Sequence, residues 1–120
     1  MDWLLVAAFG ALGAMTRYVV DRTVMRRLTT DFPVGTLLIN LSGAFVLGIL
    51  IGLATRNLVS TTAVVAIGDG FIGAYTTFST LTFESLSLVG AESLTLGSLN
   101  MVGTVIAATI LAYLGIHIVR

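Results

Sequence analysis

Apolar residues run through this chain in four long stretches, roughly 3–20, 33–54, 61–89 and 94–119, and the charged residues gather mainly between them. A helix that crosses a bilayer needs about 20 mostly apolar residues, each rising 1.5 Å. The pattern therefore predicts four transmembrane helices in a single domain, with no linker long enough to set off a second one. Pro33 opens the second stretch, where its fixed φ and missing N–H suit a first helical residue. Asp21, Arg22, Arg26, Arg27 and Asp31 fall in the first gap, Arg56 in the second and Glu92 in the third. No basic segment precedes the first apolar run, which reads as a retained membrane helix and not as a cleaved signal peptide.

Composition agrees with a bilayer as the surroundings. Of 120 residues, 57% are hydrophobic and 10% charged, the mean hydropathy is +1.05, and there is neither Lys nor Cys. Soluble domains carry about 25% charged residues, so this chain lacks the polar surface to cover a core in water. Absent cysteines exclude disulfides and thiolate metal sites. The net charge of zero argues against a nucleic-acid partner. Four crossings would place Arg56 and Arg120 on one side and Arg22, Arg26 and Arg27 on the other. Basic residues normally accumulate on the cytoplasmic side, so this split is a weak instruction that permits both orientations.

Polar groups inside a span are costly and face protein or a watery path. Thr36 and Asn40 are four apart and share a helical face, which Gly43 continues. Asn100 and Thr104 repeat that spacing, flanked by Gly97, Gly103, Ala107 and Ala108. Small residues with Asn or Thr serve helix packing, and they equally serve a polar track; spacing admits both. The third stretch is different. It holds Gly68, Gly70 and Gly73, then Thr76, Thr77, Ser79, Thr80 and Thr82. Gly and Thr are mediocre helix formers. Unwound backbone at membrane depth is tolerated where protein buries it or its carbonyls meet an ion. A break is expected here, and its free carbonyls would suit a monovalent cation.

Two other patterns lead nowhere. "GDGFIG" spells G-x-G-x-x-G, but a dinucleotide site needs a strand–turn–helix unit and further parallel strands. His117 is the only histidine and reads as an interfacial side chain. No catalytic constellation can be assembled, so an enzyme is not expected.

Three segments carry a resemblance: "GALGAMTRY" (Gly10–Tyr18), "FPVGTLLINLSGAFVLG" (Phe32–Gly48) and "GFIGAYTTFSTLTFE" (Gly70–Glu84). In order and spacing they resemble the small bacterial fluoride channels of the CrcB/Fluc family. The resemblance implies an all-α integral membrane protein of the bacterial inner membrane, with a broken third helix among its four spans. It implies an antiparallel, dual-topology dimer with two fluoride pores at the subunit interface, conferring fluoride resistance. It also implies a central structural sodium ion held by the backbone carbonyls of Gly73 and Thr76. By the same resemblance Asn40 would line the pore and Phe78 would turn a ring edge to the anion. Ser79, Thr80 and Thr36 would add hydroxyls, with Glu84 near the end of the track. Asn100 and Thr104 stand where the family's fourth helix places polar groups, and Arg17, closing the first motif, is expected to be structural.

The chemistry is consistent with that function. Fluoride is small and strongly hydrated, so a pore must replace its water with hydrogen-bond donors. Aromatic edges carry partial positive charge and can face an anion without trapping it. Two positions depart from the family. Leu81 stands where a second ring is expected, which admits a heterodimer with a homologous subunit beside the homodimer that family habit slightly favours. Phe83 lies about 200° around a helix from Leu81 and does not replace that ring. Asp69 stands where an uncharged residue is expected, placed either in a wet vestibule or against Arg17. The rival functions are a small proton-coupled exporter, a non-conducting partner subunit of a heteromeric channel, and a membrane assembly subunit. The exporter needs an embedded carboxylate, typically in the first span, and none lies between Asp2 and Arg17.

Overall fold

Residues 2–91 and 93–120 are described by the computed structural model of the chain, and all regular structure among them is helical. The first helix, α1 (Asp2–Arg26), runs for 25 residues, beyond the apolar stretch that announces it. Asp21, Arg22 and Arg26 therefore lie on its last turns and not in a connection. An apolar run measures membrane thickness, whereas a helix continues through any residues that tolerate it, and Arg26 is favourably placed at the negative end of the dipole.

Helix α2 (Val34–Thr55) begins one residue later than expected. Pro33 is the cap, with φ −77° and ψ 66°, and its carbonyl accepts from the Leu37 N–H at 3.1 Å. The far end closes in a Schellman motif. The Asn57 N–H reaches the Ala54 carbonyl at 2.9 Å, and the Leu58 N–H reaches Leu53 at 3.0 Å. This turn requires a residue of left-handed backbone, and Asn57 supplies it with φ 56°. Arg56 adds a link to the end of the last helix through the Val119 carbonyl, at 2.6 Å.

The third apolar stretch is two helical pieces. The first, α3 (residues 61–75), starts where the Ser60 hydroxyl accepts from the Ala63 N–H. It soon widens into a π-helix over Val64–Ile72 and tightens again at Gly73–Tyr75. The Gly73 N–H bonds the Gly68 carbonyl, five residues back. π-helical turns are rare and concentrate at functional sites. After Thr76 and Thr77 the chain re-enters a helix, α4 (Phe78–Ala91). Helix α5 (Leu94–Ile118) follows, capped by Ser93 through the Leu96 N–H.

Helices α1, α2 and α5 are each long and apolar enough to cross a membrane. α2 packs along α5, α1 along the π-helical stretch, and α4 against α5. Lipid provides little drive for helices to associate, so close backbone approach must supply it. A Cβ at Gly48 would collide with the Ala112 carbonyl, and one at Gly115 with that of Phe45. These seams set the depth at which the polar side chains meet.

Candidate functional site

The break between α3 and α4 is held from outside by α2. Thr76 takes an extended backbone, with ψ 159°. Its N–H and its hydroxyl both reach the Ile72 carbonyl, at 2.9 Å each. The next residue is clamped. Asn40 Oδ1 accepts from the Thr77 N–H at 2.8 Å, and Asn40 Nδ2 donates to the Thr77 carbonyl at 3.0 Å, both bonds buried. One amide side chain thus brackets the backbone of Thr77 and takes up the N–H that a continuous helix would have given to the Gly73 carbonyl. Close by, the Ser42 and Tyr75 hydroxyls lie 3.0 Å apart, and Tyr75 stacks on Phe71. Gly43 makes the approach possible, since a Cβ there would overlap the Thr76 methyl.

Thr77 then caps α4. Its hydroxyl accepts from the Thr80 N–H at 3.2 Å, donates to the Thr80 hydroxyl at 3.0 Å, and lies 3.3 Å from that of Ser79. In a continuous helix the Thr77 N–H would bond the Gly73 carbonyl, and the Thr80 N–H would bond that of Thr76. Both donors are turned elsewhere, to Asn40 and to Thr77 itself. The carbonyls of Gly73 and Thr76 are therefore relieved of their helical duty. That is the state in which backbone oxygens can meet a cation.

Around the clamp the polar residues divide into separate groups. A groove of about 320 Å³ is lined by Asn40, Thr76, Thr77, Phe78, Leu81 and Thr104 together with small and aliphatic residues, and none of the described residues that line it is charged. Phe78 stands out into this space at 66% exposure, while Leu81, on its wall, is 3% exposed. Thr104 is also 3% exposed, and its hydroxyl is buried with no partner among the described residues. A second cavity, of about 210 Å³, lies across Thr77 and includes Arg17, Asp21, Thr36 and Thr80. Thr36 donates to Glu84 Oε1 at 2.9 Å, and Glu84 Oε2 is buried without a partner among the described residues. Glu84 borders a third hollow, with Asp31, Pro33 and Phe83.

Several expectations change in detail. Asn100 does not reach the groove; its Nδ2 donates to Ser85 Oγ at 2.9 Å inside the α4–α5 contact. Gly97 lets α4 come that close, because a Cβ there would strike the Ser85 carbonyl. Ser79 is exposed on the subunit surface beside Phe78. Arg17 shares its cavity with Asp21 and not with Asp69. Tyr75, Ser42 and Ser85 were not singled out from the sequence, and Thr77 only as one of the hydroxyls around the expected break. For Thr77 a signal existed, since Thr directly before a helical run is a preferred cap.

An apolar helical protein of membrane-spanning dimensions, organised about an interrupted helix, is what this architecture defines. The family model described as "CrcB-like protein, Camphor Resistance (CrcB)" matches residues 4–116. The chain belongs to that family. It is 38% identical over 115 residues to a protein of Moorella thermoacetica named "Fluoride-specific ion channel FluC 2", covering 96% of this chain and 93% of that one. A Bacillus cereus protein of the same name is 41% identical over 118 residues, covering 98% and 97% respectively. The "Fluoride-specific ion channel FluC" of Magnetococcus marinus is 42% identical over 118 residues, covering 96% and 94%.

Proposed function

We propose that this chain is a fluoride-selective channel through which cytoplasmic fluoride leaves the cell passively, across the inner membrane. Relatives named as fluoride-specific channels align with it along nearly their whole length. The observation that carries the reading is the groove itself. Hydroxyls and an amide line it, an exposed phenylalanine ring stands beside them, and no charge lies along it. Fluoride sheds water only where donors replace it. The unpartnered Thr104 hydroxyl is such a donor, and the edge of Phe78 offers weak attraction without a trap. Fixed positive charge in the groove would hold the ion too well, and the groove has none; Arg17, across Thr77 in the other cavity, is accompanied there by Asp21.

In the assembled channel residues 61–91 make the fourth crossing. At 1.5 Å per residue the two pieces together extend about 40 Å, more than the roughly 30 Å of hydrocarbon. Two subunits pack antiparallel in dual topology, so that their grooves close into two pores and the exposed faces of Phe78 and Ser79 are covered. Thr36, Thr80 and Glu84 continue the polar track on the far side of Thr77. A structural sodium ion would be held by the Gly73 and Thr76 carbonyl oxygens, whose helical donors are engaged elsewhere. When bound, its charge fixes the direction of those two carbonyls. Liposomes containing the purified chain should release fluoride without a proton gradient and release negligible chloride. Proton-driven movement of an organic cation, with no fluoride release, would reject the reading.

Leu81 decides between a homodimer and a heterodimer with a homologous subunit that carries the second ring. The leucine lines the groove, so a ring placed there can extend into it. An aromatic contact contributes about 0.5–1.5 kcal/mol. Leu81→Phe is therefore expected to raise fluoride efflux from single-chain liposomes roughly two- to tenfold, which would favour the heterodimer. Unchanged efflux in a chain that already conducts well would show that the homodimer is complete.

A further inference from the structure

Consecutive residues carry the interrupted stretch across α2, and each meets a different residue of that helix. Thr77 is clamped by Asn40, and the Thr76 methyl fits where Gly43 has no Cβ. Tyr75, the last residue of helical conformation before the break, has its hydroxyl 3.0 Å from that of Ser42. Asn40, Gly43, Thr76 and Thr77 all line the groove, whereas Tyr75 and Ser42 do not. Their pair lies on the surface of the single subunit.

The direction of this bond follows from the donors available. A serine hydroxyl has one hydrogen, and Ser42 Oγ donates it to the Ile39 carbonyl at 3.2 Å. The Tyr75 hydroxyl is therefore the donor to Ser42 Oγ, and two bonds in series tie the ring to the backbone of α2. The ring is also held from the side. It stacks on Phe71, one turn earlier, with centroids 5.9 Å apart and planes 17° apart. A Cβ at Gly43 would stand 3.3 Å from the ring. Ser42 lies near the middle of α2, a depth at which little water competes for either hydroxyl.

The ladder of the first helical piece still reaches Thr76, whose N–H bonds the Ile72 carbonyl at 2.9 Å. The next N–H has left it for Asn40. One side-chain bond to α2 thus holds each flank of Thr76. A single anchor would leave the two helical pieces free to pivot about it; two anchors fix the angle between them.

We propose that Tyr75 is a positioning residue for conduction: bonded to Ser42, it holds the end of α3 on α2 and so fixes the angle at which α4 presents Phe78 to the groove. This role rests on the channel reading given above. Removing either hydroxyl takes no donor from the groove, so any change in conduction must pass through the break.

The test records unitary fluoride currents in planar bilayers from wild type, Tyr75→Phe, Ser42→Ala, the double variant and Ser42→Thr. A merely structural loss lowers the number of channels, not the current that each one carries. Tyr75→Phe keeps the stack on Phe71 and should lower the time-averaged current per channel about fivefold. Ser42→Ala strands the Tyr75 hydroxyl and should lower it at least as far, and the double variant should be no worse than Ser42→Ala alone. Ser42→Thr, which keeps the acceptor, should stay within about twofold of wild type. Wild-type current per channel from either single variant overturns this role. So does a double variant whose loss is the product of the two single losses, or a Ser42→Thr loss as large as that of alanine. Those results leave the channel reading standing, whereas a wild-type chain that carries no fluoride current removes both.

Discussion

Asn40→Ala is expected to lower fluoride efflux from proteoliposomes by on the order of ten- to a hundredfold. The side chain makes both of its bonds to the backbone of one residue, at 2.8 Å to the Thr77 N–H and at 3.0 Å to the Thr77 carbonyl. Alanine leaves a buried donor and a buried acceptor unsatisfied, at about 1–3 kcal/mol each. The backbone has an alternative: the Thr77 N–H can return to the Gly73 carbonyl and continue the helix. That closes the break, withdraws the carbonyl from the proposed cation site and turns the following hydroxyls away from the groove. Asn40→Asp keeps the acceptor for the Thr77 N–H but sets a carboxylate against the Thr77 carbonyl, so it should also conduct poorly. Efflux measured with a fluoride electrode checks both variants. Wild-type rates from Asn40→Ala would exclude Asn40 as clamp and as pore donor alike.

The second large effect belongs to Thr77. Valine copies its shape but not its hydroxyl, which accepts from the Thr80 N–H and donates to the Thr80 side chain. Losing such a cap costs about 0.5–2 kcal/mol, and here the freed Thr80 N–H can turn to the Thr76 carbonyl. Thr77→Val should reduce efflux about tenfold, while Thr77→Ser, which keeps the oxygen, should remain within about twofold of wild type. Thermal stability titrated with sodium at constant ionic strength should show a weaker rise in the valine protein than in the serine protein. If Thr77→Val conducts and responds to sodium as wild type does, the cap does not hold the carbonyls open.

The helices α2 and α5 were plain in the sequence because long apolar runs leave a chain in a bilayer few alternatives to helix. The region of the break was legible too, since glycine and threonine crowd together where no soluble turn is available. What could not be read was which hydroxyl mattered. Thr76, Thr77, Ser79 and Thr80 are alike in type, and only the position of Asn40 across the gap selects Thr77. Asn100 is a related case. Its spacing to Thr104 copies that of Asn40 to Thr36, yet Gly97 draws α4 in and Ser85 captures the amide. The surroundings of Asp69 were hidden by the π-helix. Its wider coil changes the angle per residue, so a face assigned with 3.6 residues per turn drifts along Val64–Ile72.

The proposal of passive, fluoride-selective conduction is tested most directly by a reversal potential across a planar bilayer containing the purified chain. With a tenfold fluoride gradient and equal chloride on both sides, the account predicts about 59 mV in the sense of a permeant anion. A chloride gradient or a proton gradient imposed instead should give a value near zero. A potential that follows the proton gradient, or that is the same for chloride as for fluoride, would contradict it.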